Sequence, residues 1–289
     1  MSADHHIRNP FEMAVEQVSG AARDIDHAMG RRPRAHAESA LPAIRRIQLK
    51  DLRDALREGA ADLTATRGDV VFAALVYPIA GFLLAALVLR NDLLPLVFPL
   101  LSGFALLGPI LAIGLYEISR RREQGAAVTW ADALGVLRAP GLAAIVEMGL
   151  ILLGMFLLWL AFAYSIFQFT LGPKPPASLA GFAHDVFATS AGWTMIVVGV
   201  GVGFLFAAVT FAISAISLPA ILDRDLRVDQ AIGLSMRAIG TNLRTMTLWG
   251  VIVAGALILG SLPALFGLIF VVPVLGHATW RLYRKLTAP

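Results

Sequence analysis

Cysteine is absent from all 289 residues, which excludes disulfides, thiolate metal sites and cysteine nucleophiles. Charge is scarce: only 15% of the residues are Asp, Glu, Lys or Arg, well below the roughly 25% of an ordinary soluble domain. Histidine is sparse and scattered. His5, His6, His27 and His36 lie near the start, His184 in a polar connection and His277 near the end of the last apolar block. No two of them stand at ligand spacing within one helix, so a membrane-embedded haem or copper centre would lack its ligands. Residues 1–40 contain no apolar core of a signal peptide, so this segment is expected to stay in the mature protein. No catalytic, cofactor-binding or metal-binding motif is recognisable, and the expectation is a non-enzyme without a cofactor.

Long apolar blocks are abundant. Hydrophobic residues make up 57% of the chain and the mean hydropathy is +0.73, values of a membrane protein. About 20 apolar residues are needed to cross a hydrocarbon layer of ~30 Å, and several blocks reach that length. The first runs from Val70 to Leu89 and the second from Leu93 to Tyr116, divided only by Arg90, Asn91 and Asp92. A third covers Ala143 to Thr170 and a fourth Trp193 to Leu222, with the polar stretch Gly172 to Pro176 between them. The last block, Leu243 to Trp280, would be roughly 55 Å long as one helix, too long for a single crossing. Pro263 lacks an amide hydrogen and disfavours helical geometry at Leu262, so the block is expected to break at Ser261–Pro263 into two crossings or a re-entrant hairpin.

Charge placement supports six crossings. Of the 24 Lys and Arg residues only Arg90 and Lys174 fall on one side of this arrangement. The rest, including Arg281, Arg284 and Lys285 after the final block, fall on the other. Positive residues collect on the cytoplasmic side of short loops, so both termini are expected inside a bacterial cytoplasmic (inner) membrane. The basic excess, net charge +4, is thereby explained by topology rather than by nucleic acid.

Short amphipathic segments precede the crossings. Leu49, Leu52, Leu56, Ala60 and Leu63 share one helical face. Thr129 and Asp132 form a capping box ahead of Trp130, Ala133, Leu134 and Leu137, and Val228, Ile232, Ser235, Met236 and Ile239 mark a third face. Asp54-Ala55-Leu56, Asp132-Ala133-Leu134-Gly135 and Gln230-Ala231-Ile232-Gly233 echo one another. The expected architecture is all-α: a polytopic bundle of six transmembrane helices in three hairpins, each preceded by a cytoplasmic amphipathic helix. It occupies residues 41–289. Residues 1–40 form a cytoplasmic segment with a helix from Asn9 to Gly30 and a basic, Pro-containing linker.

Ionisable residues inside a membrane usually mark function. Glu147, near the start of the third crossing, is the foremost candidate, read either as a proton or cation site or as an interfacial side chain reaching water. Gln168, Tyr77, Tyr116 and Tyr164 lie near polar boundaries without forming a cluster. Gly199 and Gly203 are a small-xxx-small pair that admits a close helix neighbour, and Gly201, Ser214 and Ser217 lie on the same crossing. Pro78, Pro109, Pro219, Pro263 and Pro273 create breaks whose carbonyls serve a substrate or are satisfied by neighbouring helices.

The segment Ile44 to Leu56, the Gly108-Pro109 pair leading to the run Gly114 to Arg120, and the stretch Ser217 to Asp225 together resemble the bacterial integral membrane proteins grouped as domain of unknown function 2189. The resemblance spans roughly residues 44–285 and implies no activity and no site residues. Some members carry a label of cytochrome oxidase subunit, which the scattered histidines here do not support. The functional expectation is a non-enzymatic protein that assembles or regulates a membrane complex, with a small-molecule or lipid transporter as the alternative. Its expected partners are the lipid bilayer and a membrane protein or a second copy, and no nucleic acid.

Overall fold

A computed structural model describes residues 41–65, 91–174, 176–263 and 265–287. The expected first crossing, Val70–Leu89, and the N-terminal segment 1–40 lie outside the described residues. Among the described residues all regular structure is helical. Four runs are long and apolar enough to cross a membrane: Leu93–Glu123, Leu142–Thr170, Ser190–Arg224 and Leu243–Ser261.

Before the first of these runs comes α1 (Leu49–Ala65). The run itself is broken. A 3-10 turn at Asn91–Leu96 leads into α2 (Val97–Phe104), a second 3-10 turn at Ala105–Leu107, then α3 (Gly108–Leu111) and α4 (Ile113–Glu123). Pro95, Pro99 and Pro109 recur through it, each lacking the amide hydrogen that an unbroken helix needs. The helix also outlasts the expected end at Tyr116, so Arg120, Arg121 and Arg122 form its last turn rather than a loop.

A 3-10 helix at Trp130–Arg138 connects to α5 (Leu142–Thr170), α6 (Leu179–Ala188) and α7 (Ser190–Ser214). The fourth expected crossing divides at Ala215–Ile216, where α8 (Ser217–Arg224) begins. Pro219 cannot donate to the Ala215 carbonyl, and one residue on from Ala215 a side chain from another helix enters the broken run. Ser235 accepts the Ile216 amide hydrogen at 3.3 Å and donates to the Ala212 carbonyl at 2.8 Å.

Ser235 belongs to α9 (Val228–Thr241), which precedes α10 (Leu243–Ser261) and α11 (Leu268–Thr287). The last apolar block thus breaks where expected. Gly260 and Gly267 meet across the turn, and a Cβ on Gly267 would lie 2.6 Å from the Gly260 carbonyl oxygen, so position 267 does not admit a side chain. α11 is amphipathic rather than uniformly apolar and is not among the four apolar runs, so the six expected crossings are not all found among the described residues.

The buried faces of the short helices correct the expected ones. On α1 the inward residues are Leu52, Ala55, Gly59 and Asp62, whereas Leu49 and Ala60 are exposed. At Trp130–Arg138 the capping box is present, but the helix is 3-10. With three residues per turn, Ala133 and Val136 share the buried side, and Leu134 and Leu137 point out. On α9 the inward residues are Val228, Ala231, Leu234, Ser235 and Ala238, and Met236 is exposed. All three share one feature: small residues, Ala55 and Gly59, Ala133, and Ala231 and Ala238, sit on the inward side and let neighbouring helices approach. Each echoed triplet places its alanine inside, with Ala55, Ala133 and Ala231 all buried.

Packing separates into two zones. In the apolar zone Trp159 of α5 is wedged between two glycines. A Cβ on Gly103 would stand 2.7 Å from its ring, and one on Gly203 would stand 3.1 Å from it. Its indole nitrogen donates to the Pro99 carbonyl at 2.9 Å, and Leu106, Ala163 and Phe206 complete the cluster. The second zone, at the end where α1, α4, α8, α9 and α11 meet, holds most of the fully buried large side chains, including Leu52, Ile118, Leu218, Ile221, Leu234, Trp280 and Tyr283.

Candidate functional site

The charged zone is built from carboxylates that helix packing buries and arginines that follow them in. α1 lies along α11 because Gly59 lets the backbones touch: a Cβ there would be 2.7 Å from both the Ala278 nitrogen and the Val274 oxygen. That approach carries Asp62, one turn on, into the seam with only 7% of its surface exposed. Two arginines meet it. Arg281 of α11 grips the carboxylate through Nε at 3.0 Å and Nη2 at 2.9 Å, while Arg122 of α4 reaches Oδ1 at 2.9 Å and the Asp62 carbonyl at 3.0 Å. Lys285 binds the neighbouring Glu58 at 2.9 Å.

Two further acids extend the set along α11. Glu123, at the end of α4, accepts from the Trp280 indole at 3.1 Å and from Arg284 at 3.0 Å. Asp223, at the end of α8, accepts from the Tyr283 hydroxyl at 2.7 Å and from Arg284 at 3.2 Å. Glu117 is almost fully buried and is held by Arg120 at 2.8 Å and Arg121 at 2.6 Å. Arg121 also binds Asp132 at 2.6 Å, and its guanidinium lies over Gly135, where a Cβ would collide with it. Asp62, Glu58, Glu123 and Asp223 thus bind α1, α4, α8 and α11 together, and Asp132 ties the 3-10 helix to α4. Beneath them Ser119 Oγ and His277 Nδ1 share a hydrogen at 2.6 Å, both fully buried.

Asp132 sits in the open part of this set. Hydrogen bonds from the Thr129 amide and hydroxyl, and then the Arg121 charge, hold its carboxyl below the usual carboxylate range. A depressed acid contributes stability above its unfolded pKa and loses that contribution as pH falls through the folded value. Protection of the amides of residues 130–139, relative to the intrinsic exchange rate at each pH, is therefore expected to be high at pH 6 and to fall selectively below about pH 4. The variant Asp132→Asn should remove the pH dependence.

The residues singled out in the sequence do not converge. Glu147 is exposed on the outer side of α5, and Gln168 is half-buried near the other end of that helix, about 30 Å away. Tyr164 is exposed and Tyr116 buried, while Tyr77 lies outside the described residues. His184 is exposed beside Asp185 at 3.7 Å. Ser214 and Ser217 bond back to carbonyls of their own run. Gly203 receives Trp159, whereas a Cβ on Gly199 or Gly201 would meet nothing within 4 Å. Sequence reading missed Asp62, Glu117, Glu123 and Asp223. A signal was present in Asp62, which stands ten residues after Leu52 on what becomes the buried stripe.

Several apolar crossings closed at one end by a layer of shared ion pairs define a multi-pass integral membrane protein. Residues 97–223 match the family model described as predicted integral membrane protein (DUF2189). The match takes in the Gly108-Pro109 pair, the run Gly114 to Arg120 and the stretch Ser217 to Asp223, so the resemblance carried by those residues holds over this part of the chain. No curated protein and no solved structure matches the chain.

Proposed function

We propose that this protein is a non-enzymatic, six-span protein of the bacterial cytoplasmic membrane, with both ends in the cytoplasm. It acts in the assembly or regulation of a membrane complex by packing its crossings against a partner's or a second copy's. The observation that carries this reading is the contrast between the two zones. The charged zone is densely tied, while the most apolar stretch of the Ser190–Arg224 run has only 6% of its residues buried. A Cβ on Gly199 would meet nothing within 4 Å, which leaves room for a close neighbour there.

The transporter reading draws on the helix breaks, since freed backbone groups coordinate substrates in discontinuous helices. Here those groups have internal partners: Trp159 takes the Pro99 carbonyl and Ser235 spans the break at Ile216. Glu147 points away from the bundle. These observations favour assembly.

Because the chain has no cysteine, a single introduced cysteine is a unique probe. Gly199→Cys is expected to cross-link to a partner or a second copy in native membranes. Gly199→Leu is expected to abolish the complex on native gels and leave the melting temperature unchanged. Gly203→Leu, which drives a side chain into Trp159, should instead lower the melting temperature, by about 1–3 kcal/mol of stability. An unchanged complex in Gly199→Leu overturns the reading.

A further inference from the structure

The start of α1 is pinned to the start of α10 through one side chain. Asn242, 5% exposed, accepts the Ile47 amide hydrogen at 2.8 Å and donates to the Arg45 carbonyl at 2.9 Å. The Thr245 hydroxyl adds a bond to the Ile47 carbonyl at 3.3 Å. Two consequences follow for what the surface presents. Leu49 and Leu243, flanking this clamp, are both large, apolar and more than 60% exposed. Arg46, Lys50 and Arg244 are their neighbours along the chain, all exposed and without an ion pair among the described residues. Next to Lys50 in sequence, Asp51 accepts from the Gln48 amide at 2.7 Å.

The position of the patch relative to a bilayer comes from α10. Its 19 residues span about 28 Å, which is the hydrocarbon thickness with little to spare. Leu243 therefore stands at one boundary, with Arg244 beside it, and the clamp holds Leu49, Arg46 and Lys50 close by. Exposed leucines at acyl depth rimmed by three cations are complementary to an anionic amphiphile, apolar below and negative above. Water would leave the leucines unfavourably wet, and a zwitterionic headgroup would leave the cations without compensation.

We infer that the Asn242 clamp, with Arg46, Lys50, Arg244, Leu49 and Leu243, forms a binding site for an anionic phospholipid of the leaflet at the Leu243 end of α10. The site is independent of the assembly face on α7. Each cation at a charged membrane surface contributes about fivefold in affinity, so the three together give about a hundredfold preference, weakening with salt.

The test is native mass spectrometry of the full chain titrated separately with phosphatidylglycerol and phosphatidylcholine of the same acyl composition. Wild type is expected to retain phosphatidylglycerol selectively. The variant R46Q/K50Q/R244Q should lose at least tenfold of that preference, and L49S/L243S should bind phosphatidylglycerol more weakly. R57Q/R138Q removes exposed charge elsewhere and should behave as wild type; these are surface positions, and unchanged melting temperatures verify folding. The inference is overturned by equal retention of the two lipids. It is equally overturned by equal losses in the two charge variants, which would mean diffuse basicity, or by full displacement of the lipid by soluble glycerol phosphate, which would mean a free-phosphate site.

Discussion

Asp62→Asn is expected to destabilise the protein by about 3–5 kcal/mol, the loss that follows when one partner of a buried ion pair is removed. The substitution preserves shape and deletes only charge. It leaves Arg281 and Arg122, with side chains 23% and 19% exposed, facing a neutral amide inside the seam. Contrast the pair Arg227–Asp229, whose side chains are 63% and 67% exposed and whose loss should cost at most about 1 kcal/mol. Fluorescence of the five tryptophans, the buried Trp280 among them, during denaturation in mild detergent is the readout. Asp54→Asn, on the exposed side of the same helix, is the control, expected within about 0.5 kcal/mol of wild type. Equal stability of Asp62→Asn and wild type would show that the shared carboxylate does not hold α1 to α11.

Gly59→Leu should have an effect of similar size by a different route. The atoms that a Cβ would strike, the Ala278 nitrogen and the Val274 oxygen, belong to a helix backbone that cannot rotate away. Overpacking of this kind typically costs about 1–3 kcal/mol, and the rest of a leucine side chain has no space in the seam. Displacing α1 also lengthens the Asp62–Arg281 contact one turn further on. The double variant Gly59→Leu/Asp62→Asn should therefore lose less than the sum of its parts, because both substitutions fail the same seam. At Gly154, inside α5, nothing lies within 4 Å of where a Cβ would stand, and Gly154→Ala should be neutral or slightly stabilising.

Several features were legible in the sequence because each depends on a local cause. The apolar blocks from Leu93 onward, the stop at Ser261 and the Thr129–Asp132 capping box all follow from runs of hydrophobicity, from Pro263 or from residues three apart. The inward faces of α1 and α9 were not legible in the same way. A soluble amphipathic helix buries its leucines, and that rule selects Leu49 and Met236, both of which are exposed. The alanines of the echoed triplets carried the better signal.

The charged cluster was hidden for another reason. Arg120, Arg121, Arg122, Arg281 and Arg284 read as topology markers, which they are, and that explanation is complete without partners. Their partners come from remote sequence: Asp62 and Arg281 are 219 residues apart, and Glu123 and Arg284 are 161 apart. No periodicity connects such positions. Only the close passage at Gly59, a property of two backbones, brings them together. The Ser119–His277 pair, 158 residues apart, was out of reach for the same reason.

The lengthwise embrace of α1 by α11 also sets the earliest moment at which this seam can close. Asp62 and Arg281 are 219 residues apart, so a ribosome-bound chain that has already inserted the crossings between them still carries an Asp62 without Arg281 and a Gly59 groove without an occupant. A chain stopped short of Arg281 leaves that carboxylate with one of its two arginines and the groove open, and contacts so distant in sequence are the slow ones to form.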